Sequence, residues 1–401
     1  MTTPAPVPAD RPGRRPAWLV LTASERGASH FANHAPNQDS VGSERAGGEG
    51  TVAAVADGHG HSRHLRSARG SAIAVRVGCQ VAQELADRLD AHAAFGSPGG
   101  PAPSASATAD AITDAVQDFL VPQIVDRWRD TVLADVAADP FTDAEEDLRQ
   151  RGDDPTIAYG STLLLGIALH GWLILAQIGD GDVVGVRPDG RAILPVPEDP
   201  QLDGLVTTSL CGPDPRSDFR VAVVDTSKVP LLAVLLATDG YGNAQVVDRW
   251  PSAFSEDLAR MLTERDLNWL ASQLPAWAAR CASAEGSADD TTVALLISPA
   301  VAAERTAVAA GPGPDEGSEE TTIPAVPHAE TVPNNLVPPD QYPGEPETVR
   351  LGAVPADDGH GHDGHGQGGH GHGGHGIVRD EPAGDEPPTA EWDPPTGAGG
   401  R

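Results

Sequence analysis

The stretch Thr162-Leu163-Leu164-Leu165-Gly166-Ile167-Ala168-Leu169-His170-Gly171-Trp172-Leu173-Ile174-Leu175-Ala176-Gln177-Ile178 holds two apolar runs hinged on His170-Gly171. Two such runs around a two-residue turn read as an antiparallel β-hairpin. Downstream the pattern continues as a meander: Val183–Val186, the turn dipeptide Asp189-Gly190, then Arg191–Leu194. Leu205–Leu210 and Phe219–Val224 read as further strands. Leu231–Ala237 is almost wholly apolar, as a strand buried on both faces is, and Thr292–Ile297 is a last buried strand. Upstream, Trp18–Ala23 and Thr51–Ala56 read as strands, the second closed by Asp57-Gly58.

Elsewhere the apolar period becomes helical. Ile73, Val77, Val81, Leu85 and Leu89 mark a helix over about 66–90, and Ile112, Val116, Leu120, Val125 and Val132 mark helix over about 109–136. Helical spacing returns over about 252–284. Residues 96–108 read as a Pro/Ser/Ala/Gly loop and 139–158 as an acidic loop. Long helical segments set against antiparallel strands predict an α+β fold rather than alternating βαβ units.

The 401 residues suit one large domain plus something extra. Residues 1–16 are Pro-rich and read as a disordered N-terminus. The domain spans 17–299. From 300 to 401 Pro, Gly, Glu, Asp and His replace the apolar periodicity, which predicts a disordered acidic tail that buries too little apolar surface to offset its ordering entropy. A formal charge of −31, from 58 acidic and 27 basic residues, argues against nucleic acid and against an anionic membrane surface as partners. Cys79, Cys211 and Cys281 lie far apart, without a CxxC pattern, and read as thiols of a reducing compartment. No apolar stretch is long enough to span a bilayer. Arg14-Arg15 before Ala17–Ala23 resembles a twin-arginine export signal in outline, but the apolar part is short and is read as the first strand. The expected location is therefore the cytoplasm.

Acidic residues stand at the strand boundaries. Asp57, Asp180 and Asp239 follow apolar strands; Asp289 precedes one. Any one Asp-Gly is most simply a turn, and Asp189-Gly190 is read as that. The ordered set carries more. Asn37-Gln38-Asp39, Asp57-Gly58-His59-Gly60, Gly160-Ser161-Thr162, Gly179-Asp180, Ala237-Thr238-Asp239-Gly240 and Asp289-Asp290-Thr291-Thr292 occur in that order. The series resembles the motifs of the metal-dependent protein phosphatases of type 2C, the PPM family, over about residues 17–299.

The resemblance implies a four-layer α-β-β-α sandwich, two mainly antiparallel sheets flanked by helix pairs, with two Mn²⁺ or Mg²⁺ ions at one sheet edge. It implies that Asp57 bridges both ions, that the Gly58 carbonyl binds the second, and that Asp239 and Asp289 hold the first. Asp39 would act through waters on the ions, and Asp180 with Asp239 would take a third, weaker ion. All-oxygen ligands suit hard cations. Two cations acidify a shared water enough to attack phosphorus near neutral pH, without a protein nucleophile. His59 takes the position of the acid that protonates the leaving Ser or Thr oxygen. Phosphorylated proteins would be the substrates. Two departures stand out: His34 occupies the place of a phosphate-gripping Arg, with His30 and Arg26 near it in sequence, and Gly181 follows Asp180 where Ser and then Arg are usual.

The tail has its own chemistry. His360, His362, His365, His370, His372 and His375 are separated mainly by Gly and read as a soluble spacer with incidental affinity for Ni²⁺, Zn²⁺ or Cu²⁺. Thr321, Thr322, Thr331 and Thr348 follow acidic residues, which suits a kinase or a phosphothreonine-reading partner. Two further readings compete with the enzyme: a phosphatase-fold adaptor without activity, motivated by the missing Arg, and a metal-binding protein acting through the tail.

Overall fold

A computed structural model describes residues 17–301, apart from 49, 92–93, 97–102, 150–151, 200–206 and 248. Residues 1–16 and 302–401, including the tail histidines and threonines, lie outside the described residues. Val301, assigned to the tail by the sequence reading, is buried in the same apolar cluster as Phe254 and Trp277. Ten strands form. They are β1 (Leu19–Glu25), β2 (Ser40–Ala46), β3 (Gly50–Ala56), β4 (Leu163–Leu169) and β5 (Trp172–Ile178). After them come β6 (Asp182–Val186), β7 (Ala192–Ile193), β8 (Arg220–Asp225), β9 (Ala233–Ala237) and β10 (Thr291–Ile297). They make two five-stranded sheets, in the orders β1-β10-β9-β6-β7 and β2-β3-β4-β5-β8. Every ladder between them is antiparallel.

The helices are α1 (Ala28–Ala32), α2 (Ser67–Ala91), α3 (Ala105–Ala115), α4 (Val121–Ala138) and α5 (Asp143–Leu148). Next are α6 (Pro215–Asp218), α7 (Asp239–Asn243), α8 (Trp250–Glu264) and α9 (Leu267–Cys281). Alternation along β3 shows how the layers are glued. Ala53 and Val55 point between the sheets, against Leu236, Ala294 and Leu296. Val52, Ala54 and Ala56 point the other way, onto α2 and α4 through Ile73, Val77 and Ile124. The opposite sheet buries its outer face under Phe254, Leu258, Leu274 and Trp277 of α8 and α9. The result is the expected α-β-β-α sandwich, and because both faces of β3, β4 and β9 are covered, those strands read as unbroken apolar runs.

Three sequence expectations shift. The segment read as one helix over 109–136 is α3 and α4 joined by a π-helical turn at Val116–Leu120, just before Pro122, which cannot donate to the helical ladder. The acidic loop carries α5, nucleated by a Thr142/Glu145 capping box, and a 3-10 turn at Pro155–Tyr159. The strand expected at Leu205–Leu210 does not form over the described part: the backbone turns at Ser209–Gly212, where the Gly212 N–H donates to the Ser209 carbonyl, and the Thr208 and Ser209 hydroxyls hold the segment on Asp199 and the Ser161 carbonyl. Half-exposed β2 has too little apolar character to signal itself.

Candidate metal centre

Register gathers the acidic motifs. Ser40 pairs with Ala56, so Asp39 comes alongside Asp57. Asp182 pairs with Ala237 and Val293 with Ala237, which sets Asp182, Asp239 and the Asp289-Asp290 turn on the same edge of the sandwich. The fold thus brings Asp39, Asp57, Asp180, Asp239 and Asp289 together. All four others lie close enough to Asp57 to repel its charge, and with burial as the larger cause they push its carboxyl well above the usual range.

The intervening motifs are fasteners. Thr162 Oγ1 accepts from the Asp57 backbone N–H at 2.9 Å, and the Thr162 N–H donates to the Asp57 carbonyl at 2.9 Å. Gly58 bridges Ser161 and packs so tightly that a Cβ would sit 2.6 Å from the Gln38 carbonyl oxygen. Thr238 donates from Oγ1 to Asp39 Oδ2 at 2.8 Å and receives the Thr292 N–H at 2.9 Å. Gly240 lies against the Asp290 carbonyl, where any Cβ would collide.

Electrostatics match a cation receptor. Burial, with the Asp290 and Asp239 carboxylates, lifts Asp39 to about 8 against the opposing hydroxyls of Thr238 and Thr292. Burial, with Asp180 and Asp289, lifts Asp239 to about 7. Asp182, which the sequence reading passed over, is lifted to about 7 by burial and then by Asp239 and Asp180. Asp180 is raised chiefly by burial, and Arg220 beside it opposes the rise. Oδ1 of Asp39 and Oδ1 of Asp180 are buried with no hydrogen-bond partner among the described residues. The fan is open: among the described residues no three His, Cys, Asp or Glu side chains close into a ready ligand cage. Orphaned buried oxygens, mutual repulsion and an oxygen-rich donor set nevertheless fit hard divalent cations.

The doubled Asp289-Asp290 divides its labour. Asp289 is half exposed; Asp290 is buried and accepts from Gly27 N–H, Gln38 N–H and His30 Nδ1 at 2.7, 2.5 and 2.7 Å. Of the two histidines before the first motif, His30 therefore meets the acidic edge. His34 sits exposed at φ 58° on the turn after α1, its Nδ1 3.3 Å from the Phe31 carbonyl oxygen. Arg26 is turned onto the Phe31 ring, 3.5 Å from its centroid. Sequence gave no means of choosing among the three, because the choice depends on a partner 260 residues away.

His59 is placed differently from a free acid. Its Nε2 is 2.7 Å from Ser209 Oγ, and its ring stands edge-on to His64 at 4.9 Å between centroids. Burial, helped by His64 and Arg63, lowers it to about 4, so the imidazole is neutral at physiological pH. Ser209 is reached because the chain there is irregular and turns at Ser209–Gly212, and no motif announced it.

A family model described as protein phosphatase 2C matches residues 26–277, more than half of the chain. Among solved structures, the serine/threonine phosphatase Stp1 from Staphylococcus aureus aligns at 12% identity and TM-score 0.43, covering 73% of this chain and 99% of its own. The S. agalactiae serine/threonine phosphatase aligns at 17% and TM-score 0.42, covering 70% and 99%. The catalytic domain of the phosphatase PstP, solved with two manganese ions, aligns at 21% and TM-score 0.37, covering 70% and 97%. No curated protein matches the sequence.

Proposed function

The chain belongs to the protein phosphatase 2C family, and from that premise we propose that it hydrolyses phosphoserine and phosphothreonine on proteins with the help of divalent cations. The observation that carries the reading is the convergence of five carboxylates on one sheet edge, with buried oxygens of Asp39 and Asp180 left without partners. Asp57, the Gly58 carbonyl, Asp239 and Asp289 would hold two Mn²⁺ or Mg²⁺ ions; Asp39 would act through waters on them, and Asp180 with Asp239 would serve a weaker third site. Bound there, such cations supply Lewis acidity toward a phosphoryl group and a water, and neutralise its charge.

The rest falls to the chain. Thr162 fixes Asp57 through the backbone, Thr238 fixes the rotamer of Asp39, and Asp290 pins the loops that carry Gly27 and Gln38. His59 acts as a neutral imidazole, whose N–H can donate to a developing alkoxide without a standing positive charge. We place the catalytic domain at 17–299. The three free cysteines favour a cytoplasmic setting, and no helix among the described residues is long and apolar enough to cross a membrane.

The test is hydrolysis of a phosphothreonine peptide with Mn²⁺ by the full chain, alongside Asp57→Asn and Asp239→Asn. Metal-dependent turnover by the wild type, abolished in both variants, is the expected result. Folded wild type with no turnover at any Mn²⁺ concentration would replace the enzyme by a phosphatase-fold adaptor.

A further inference from the structure

The loop between β1 and β2 is docked onto the chain that leads into β10. Gly27 lies against the Asp289 backbone so closely that a Cβ would collide. Ala28 N–H donates to the Ala282 carbonyl at 2.8 Å, and Ser29 N–H to the Ala288 carbonyl at 2.9 Å. This docking delivers the His30 ring to the two aspartates. Nδ1 is 2.7 Å from Asp290 Oδ2, whose side chain is 2% exposed. With Nδ1 donating to that carboxylate oxygen, Nε2 is the ring nitrogen free to offer a lone pair to a cation.

That nitrogen stands 3.8 Å from Asp289 Oδ1, on a side chain that is 51% exposed. The gap is too long for a hydrogen bond. It is within the span of two ligands on one cation, since metal–ligand bonds of about 2.1 Å each reach across it. A buried carboxylate behind the far nitrogen is also the arrangement that orients metal-binding imidazoles.

We propose that His30 is a nitrogen ligand to a divalent cation shared with Asp289, with Asp290 as the positioning residue behind it. The proposal rests on the reading of the acidic edge as a cation centre and changes its character: one ligand is an imidazole, which favours Mn²⁺ over Mg²⁺.

Mn²⁺ titration with pulsed electron paramagnetic resonance of the full chain tests it, comparing wild type with His30→Gln, Asp290→Asn and Asp57→Asn. The tail histidines are common to all four, so differences report the centre. Wild type should show a ¹⁴N coupling on its tightest Mn²⁺ that is lost in His30→Gln. Affinity for Mn²⁺ should fall about tenfold or more, with Mg²⁺ affinity little changed. Asp290→Asn should weaken the same coupling. If His30→Gln disturbs the near-ultraviolet circular dichroism, His30→Asn, which keeps a side-chain donor, replaces it. Wild-type coupling and affinity in the His30 variant, with Mn²⁺ lost from Asp57→Asn, would refute the ligand role and leave the centre standing. Unchanged Mn²⁺ binding in Asp57→Asn would undo the centre itself, and this inference with it.

Discussion

Replacing Asp182 by Asn should stabilise the metal-free protein, by an amount that grows as pH rises from about 4 to about 7. Asp182 opens β6 and faces Gly242 of α7, with Asp239 and Asp180 as charged neighbours. Burial and those neighbours raise its carboxyl from 3.8 to about 7. A carboxyl raised in the folded state carries no penalty below 3.8, where folded and unfolded chains are both protonated. The penalty grows as pH climbs from 3.8 to about 7 and is constant beyond. At 1.36 kcal/mol per pH unit the full span is about 4 kcal/mol. Asp182 is partly open to solvent, which screens the charge, so the expected gain is about 2 kcal/mol.

In a folded domain of about 285 residues that gain raises Tm by roughly 3 °C. Thermal unfolding in EDTA at pH 8 and pH 5, monitored by circular dichroism, reads it directly: a clear rise at pH 8 and one less than half as large at pH 5. Saturating Mn²⁺ should shrink the pH 8 difference, because cations in the cluster already neutralise the field that Asp182 feels. Equal gains at both pH values, or a loss at pH 8, would show that Asp182 is not held in the repulsive field described.

Gly240→Ala forces a Cβ into the Asp290 carbonyl and should cost about 2–3 kcal/mol, read as a lower urea midpoint; an unchanged midpoint would contradict the packing. Glu145, hydrogen-bonded by the Arg66 guanidinium and the Thr142 N–H, is held at about 2. Its stabilisation is complete above 4.5 and fades toward pH 2, so Glu145→Gln should cost about 2 kcal/mol at pH 7 and less than half of that at pH 3. His59→Gln should lower kcat/KM on the order of 10²-fold by a factor that does not vary between pH 5.5 and 8, because the wild-type imidazole is uncharged throughout; a loss confined to one limb would assign His59 a titrating role.

The sequence made the apolar skeleton legible because most strands are buried on both faces and bounded by turn residues. The hairpin Leu163–Ile178 is an example: its turn residues His170 and Gly171 both adopt positive φ, 50° and 84°, as a type I′ turn demands. Edge strand β2 escaped notice because half of its side chains face water. Carboxylates at strand exits were readable as a series, but their partners were not. His30 finds Asp290, and His59 finds Ser209, only after the chain has folded. Asp182 was in plain view beside Asp180, yet a second acid in one turn looks like ordinary surface until its burial is known.

What holds so many like charges at one edge is therefore a matter of backbone anchoring more than of the charges themselves. Four of the five candidate ligands, Asp57, Asp180, Asp239 and Asp289, adjoin strands β3, β5, β9 and β10, whose faces are sealed, and the strand ends are tied by residues that bind main chain: Thr162 to Asp57, Thr238 to Thr292, Asp290 to Gly27 and Gln38. Repulsion raises the proton affinity of the carboxyls but has no soft backbone on which to act. A fold built this way keeps its acids near one another when they would otherwise separate, which is the preorganisation that a cation centre of hard ligands requires.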